Sequence, residues 1–282
     1  MEIRRVGVAG LGTMGAGIAQ VCVQAGFETV GREVSDELCD RACDRIDHYL
    51  ARGVEKGRLT TAEHAEALAR LTTTTELAEL AGCDLVIEAI VEELDAKQGL
   101  FAELSAIVPD AILATNTSAL SVTEIASAAA RPERVVGLHF FNPAPVLPLV
   151  EVVRTERVDT EVYESAVAFA AALGKEPVRC GDTPGFVVNR VLIPLLNDCV
   201  RVLDDAGVTP EDLDRALRFG ASWPIGPCAL IDLIGIDVHV HASQALSAAL
   251  GDERVAPPER LLELQREGRL GRKSGRGFFA YD

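Results

Sequence analysis

The sequence predicts two domains of different class: a Rossmann-like, doubly wound α/β domain over residues 1–182 and an all-helical domain over residues 183–282. Three observations lead there. A glycine-rich turn stands between an apolar run and a helical stretch at the start of the chain. Short apolar runs then alternate with polar segments of helical spacing as far as residue 153. Beyond Thr183-Pro184-Gly185 the apolar residues fall in long periodic segments with few strand candidates.

The first apolar run, residues 5–9, reads as a buried strand, and Gly10-Leu11-Gly12-Thr13-Met14-Gly15 opens the helix that follows. Strand, G-x-G-x-x-G and helix together are the sequence form of a dinucleotide-binding turn. The first glycine permits the tight turn, the second lets backbone approach a pyrophosphate, and the third lets helix and strand pack closely. The helix N-terminus offers unpaired N–H groups to the phosphates. Gly10, Gly12, Thr13, Met14 and Gly15 are therefore the expected cofactor contacts. Residues 27–32 read as the next strand, and Glu33 stands about 20 residues after the turn, where an acid binds ribose hydroxyls. That acid favours NAD over NADP. Arg32 beside it could accept a 2′-phosphate, but strand alternation turns the two side chains in opposite directions. Gly31 stands where a strand would carry an apolar β-former, which predicts a loose edge.

Residues 35–70 read as two helices broken near Gly57, and residues 72–74 as a short strand. Residues 84–89 form a buried strand, followed by a charged helix from about 93 to 107. Residues 111–115, 135–141 and 149–153 complete the strands. In the second domain, residues 189–206 read as one long helix. Thr209 caps another, with Pro210 at its first position.

Composition narrows the function. Hydrophobic residues make up 48% and charged residues 25% of the chain, as in ordinary globular proteins. No apolar run reaches the length of a membrane span, and nothing at the N-terminus marks a secretory signal. A net charge of −16 argues against nucleic acid and anionic membranes as partners. The seven cysteines form no C-x-x-C pair, which suits free thiols in a reducing cytoplasm, and no metal site is expected.

Chemistry concentrates late in the first domain. His139 lies in an apolar strand, a setting shared by ordinary core histidines. It also closes a late strand of a nucleotide-binding sheet, where ligands bind at strand carboxyl ends. Glu151 is the one acid in the apolar run 147–153. A strand, a proline-rich loop and a returning strand would bring it to His139, where a carboxylate sets the tautomer and stabilises the imidazolium. A solvent-facing place on a sheet edge is the other reading of Glu151. The polar cluster 116–121 is either a substrate loop or a helix N-cap.

Taken together these residues resemble the L-3-hydroxyacyl-CoA dehydrogenase family. The matching segments are GLGTMGAGIAQ (10–20), TNTSALS (115–121), GLHFFNPAPV (137–146), LVEVV (149–153), DTPGFVVNRVLIP (182–194), WPIGPCALIDLIGID (223–237) and GRLGRKSGRGFFAYD (268–282). They run in the family's order over nearly the whole chain, and the short-chain bacterial 3-hydroxybutyryl-CoA type is nearest. The resemblance implies an NAD-dependent oxidation of a 3-hydroxyacyl-CoA, with His139 as general base and Glu151 as its orienting partner. Ser118 and Asn189 would hold substrate oxygens, and Asn142 would lie near the base and nicotinamide. It places Glu92, Lys97, Asn116, Ser118, Asn142 and Lys273 at the cofactor and Lys56 at the CoA moiety. It also implies a homodimer. Tyr49 stands where a serine contacting CoA is usual, which leaves room for an acyl carrier protein or a free hydroxy or sugar acid instead of CoA.

Overall fold

A computed structural model describes residues 1–281; Asp282, the last residue of the terminal motif and of the second predicted domain, lies outside them. The chain divides into two compact units, Met1–Thr183 and a second from Pro184 onward.

In the first unit, β1 (Arg5–Ala9), α1 (Thr13–Gln24) and β2 (Glu28–Arg32) open the fold. Two helices follow, α2 (Asp36–Glu55) and α3 (Thr61–Ala69), broken as expected around Gly57, and then β3 (Leu71–Thr74). Next come β4 (Leu85–Glu88), α4 (Leu94–Ile107), β5 (Ile112–Thr115), a short α5 (Val122–Ala126), β6 (Val135–Phe140) and β7 (Leu149–Arg154). Helix α6 (Thr160–Ala172) and β8 (Glu176–Gly181) complete the unit. All eight strands form one sheet in the order β3-β2-β1-β4-β5-β6-β7-β8. Every neighbouring pair is parallel except β6–β7. The order reverses between β1 and β4, which opens a crevice at their carboxyl ends.

The central strands form where an apolar run can be covered on both faces. β4, β5 and β6 are buried at every position, as parallel strands between helical layers must be. The core beneath them joins Val6, Val8, Ile18, Leu85, Ile87, Ile112 and Leu138. Two elements carried no apolar signal. β8 is an edge strand, mostly exposed and holding Pro177, so its sequence need not alternate. The five-residue α5 is too short for a periodic pattern.

The loose edge expected at Gly31 is not found. β3 covers the outer side of β2, and Leu11 fills the space over Gly31; an added Cβ would lie 2.7 Å from Leu11 Cδ1. The missing side chain is replaced by one from the glycine turn.

The second unit holds α7 (Val188–Asp205), α8 (Pro210–Gly220), α9 (Pro227–Ile234), α10 (Ile236–Leu250) and α11 (Glu259–Arg266). Its core gathers Leu196, Val200, Cys228, Ile231, Val240 and Leu261. Thr209 caps α8, accepting from the Asp212 N–H, with Pro210 at the first helical position. Two buried aspartates hold this unit together. Asp214 accepts the Cys228 and Ala229 N–H groups at the start of α9. Asp232 accepts from Phe278 N, Phe279 N and Tyr281 Oη in the terminal segment.

Candidate active site

The glycine turn is built to hold a dinucleotide. Gly10 takes φ +91°, and a Cβ at Gly15 would collide with the Gly10 carbonyl oxygen. Gly12 has nothing within 4 Å of where a Cβ would stand, so its backbone is open to a phosphate. Thr13 starts α1 and is exposed, whereas Met14 packs on the core. Glu33, just past β2, is drawn to this turn. Its Oε1 accepts the Leu11 N–H at 2.9 Å and its Oε2 the Val34 N–H at 2.8 Å. Arg32 points elsewhere, its Nε donating to the Thr75 carbonyl. The residues present therefore fit an adenosine ribose with free hydroxyls.

At the carboxyl end of β4 lies a buried ionic cluster. Lys97 is 1% exposed, and its Nζ is held by Glu88 Oε1 at 2.5 Å and Glu92 Oε2 at 3.2 Å. Glu88 is wholly buried and accepts further from Thr115 Oγ1 and Ile90 N. Every oxygen is satisfied, as a buried charge requires. Glu92 passes the constraint outward, accepting from Thr117 Oγ1, Ser118 N, Ser118 Oγ and Ala119 N. Burial opposes its charged form, but the Lys97 ammonium and the bonds from Thr117 and Ser118 outweigh that, so its carboxyl sits below the ordinary range. Lys97 thus acts on the crevice through Glu92. The resemblance named Glu92 and Lys97 as cofactor contacts but not Glu88, whose signal was an acid closing an apolar strand.

Of the two roles left open for the cluster 116–121, the helix N-cap is present. Ser121 is the N-cap of α5, accepting the Glu124 N–H. Ser118 is exposed and held by Glu92. Asn116 Oδ1 accepts the Phe140 N–H, tying the loop to the strand that carries His139.

His139 and Glu151 are direct partners in the antiparallel β6–β7 ladder. Nδ1 lies 2.7 Å from Glu151 Oε2. Glu151 has no exposure and His139 only 5%. β7 is not an edge, because β8 pairs on its far side, and the complete burial of Glu151 removes the solvent-facing reading. The Phe141 ring lies 4.4 Å from the imidazole, centroid to centroid. Asn142 follows in the exposed loop, and Lys175 pins that loop by donating to the Ala144 and Leu147 carbonyls. Asn189 and Lys273 belong to the second unit; Asn189 is the second residue of α7, and Lys273 pairs with Asp237.

A groove of about 530 Å³ runs between α1, α2 and the loop after β6. Arg45, Arg52, Lys56 and Arg58 line it together with Tyr49, Asn142 and Pro145. Of these cations the sequence reading singled out only Lys56. The signal for two more was present, since positions 45, 49, 52 and 56 share one helical face. In a chain of net charge −16 this is a local cationic surface.

Residues 5–183 match the family model for the 3-hydroxyacyl-CoA dehydrogenase NAD-binding domain, and residues 185–281 match the model for its C-terminal domain. A 3-hydroxybutyryl-CoA dehydrogenase of Mycobacterium tuberculosis is 44% identical over 99% of both chains. A 3-hydroxyadipyl-CoA dehydrogenase of Escherichia coli is also 44% identical, over 99% of this chain and 59% of its own. The crystal structure of an (S)-3-hydroxybutyryl-CoA dehydrogenase from Ralstonia eutropha superposes with a TM-score of 0.96, at 38% identity and full coverage of both chains.

Proposed function

From the premise that this chain belongs to the 3-hydroxyacyl-CoA dehydrogenase family and is an NAD-dependent enzyme of that class, we propose that it interconverts (S)-3-hydroxybutyryl-CoA and acetoacetyl-CoA. The observation that carries the reading is the buried His139–Glu151 pair at 2.7 Å. Glu151 holds Nδ1, and Nε2 is the atom that takes the proton of the 3-hydroxyl as the C3–O bond becomes a carbonyl. Glu151 then balances the charge on the imidazolium. The Gly10–Gly15 turn and Glu33 would hold the dinucleotide, which would supply the acceptor for the hydride leaving C3. Ser118 and Asn189 hold substrate oxygens, Asn142 stands beside the base, and Glu92 keeps Ser118 in place.

The cationic groove supports a CoA handle. Arg45, Arg52, Lys56 and Arg58 supply charge for its phosphates, and Tyr49, half exposed, offers a ring face. The reading extends to a homodimer, because the second unit presents Val191, Leu195, Phe219 and Leu233 to solvent. Among the described residues no helix is long and apolar enough to cross a membrane.

The test is absorbance at 340 nm with acetoacetyl-CoA and either NADH or NADPH. Rapid oxidation of NADH, with NADPH slower, is the expected result. No turnover of the CoA ester by folded, NADH-binding protein, with turnover of a carrier-bound ester or a free hydroxy acid, would overturn the substrate assignment.

A further inference from the structure

Asp182 has no place in the chemistry above, yet its carboxylate is one of the most engaged in the first unit. Its Oδ2 accepts from Ser121 Oγ at 2.8 Å and Thr123 N at 2.7 Å, and its Oδ1 accepts from Val122 N at 3.0 Å. All three donors belong to the start of α5. A helix of five residues cannot hold its own place by propensity, so tertiary ties must fix it. Ser121 already caps the Glu124 N–H from within the segment. Asp182, some sixty residues away in sequence, takes the N–H groups that remain.

The loop carrying Ser118 is therefore held at three points. Asn116 is bound to Phe140 N at its start, Glu92 grips residues 117–119 at its middle, and Asp182 fixes residues 121–123 at its end. The first two anchors lie on β6 and in the loop between β4 and α4. Asp182 alone lies beyond β8, one residue before the last of the unit. We infer that Asp182 is a positioning residue for Ser118, setting the height of the substrate loop through α5 without touching substrate. This rests on the reading of Ser118 as a substrate-holding residue.

A double-mutant cycle with Ser118→Ala and Asp182→Asn tests it, reading kcat/KM for acetoacetyl-CoA, the NADH Kd and the thermal midpoint. Asp182→Asn keeps the size and one acceptor oxygen. We expect it to lower kcat/KM about 10-fold, the scale of a small misplacement at a reacting centre. The NADH Kd should change by less than about twofold. In the Ser118→Ala background the same change should cost less than about a further twofold, because contacts that act as a unit are not additive. Losses that multiply in the double variant would overturn the inference, as would a lower thermal midpoint with kcat/KM unchanged. If Asp182→Asn fails to fold, Ser121→Ala removes one of the three donors and is read in the same cycle. Should Ser118→Ala alone leave kcat/KM unchanged, the substrate role of Ser118 and the role of Asp182 fall together.

Discussion

His139 in the first unit and His239 in the second are both buried histidines, 5% and 2% exposed, and they are partnered in opposite ways. His139 faces a carboxylate, Glu151 Oε2, across a strand ladder. His239 faces an amide, with Nε2 2.9 Å from Asn197 Oδ1. Asn197 Nδ2 donates to the Val255 carbonyl and to Ser243 Oγ, which fixes the amide and makes His239 the donor at Nε2. An amide can orient an imidazole but cannot balance its charge, and burial holds the His239 ring down to about 4. A carboxylate does both. Burial of a histidine therefore says little about its role; the formal charge of the atom it meets says much.

Replacing each histidine should separate the two roles. His139→Gln should lower kcat for acetoacetyl-CoA reduction by ~10³-fold, within the range for loss of a general base, with the thermal midpoint near that of the unaltered protein. A loss below about tenfold would place the base elsewhere.

The matching experiment on His239 reads stability. Its folded value lies below the ordinary 6.5, so the unfolded chain binds the proton first as the pH falls. Stability should be full above pH 6.5 and should decline toward pH 4, by about 3 kcal/mol from this group alone. Denaturant unfolding at pH 7, 5.5 and 4 measures the slope. His239→Gln should flatten it while leaving turnover at pH 7 in place, and an unchanged slope would assign the acid sensitivity to other groups.

The smallest of the three effects belongs to Glu151, the carboxylate opposite His139. Glu151→Gln keeps an acceptor oxygen opposite Nδ1 and removes the charge, turning the first site into a likeness of the second. We expect kcat to fall ~10²-fold, measured across the pH range, and a near-normal rate would mean that the carboxylate only orients the ring.

Much of the site was legible because its signals are local. The glycine spacing at 10, 12 and 15, the acid in an apolar strand at 151 and the histidine at a strand end are each visible within a few residues. The cationic face of α2 was equally local at 45, 52 and 56, but it becomes a groove only because α1 and the loop 142–146 stand opposite. Glu88 had a local signal as well, an acid closing an apolar strand, whereas nothing near Asp182 marks it, because its partners lie some sixty residues away.

The sequence by itself determined the kinds of element, their order and the residue types available for chemistry, since strand and helix periods and turn glycines depend on near neighbours. Tertiary structure alone decided which of those residues meet. The reach of Asp182 to α5 and the bond from Phe140 N to Asn116 depend on packing between segments distant in the chain, and the register of β6 on β7 sets His139 directly against Glu151. Glu151 faces a histidine and not solvent because the ladder sets it directly opposite His139 on a face of the sheet that is buried. Local periodicity carries no information about what covers that face.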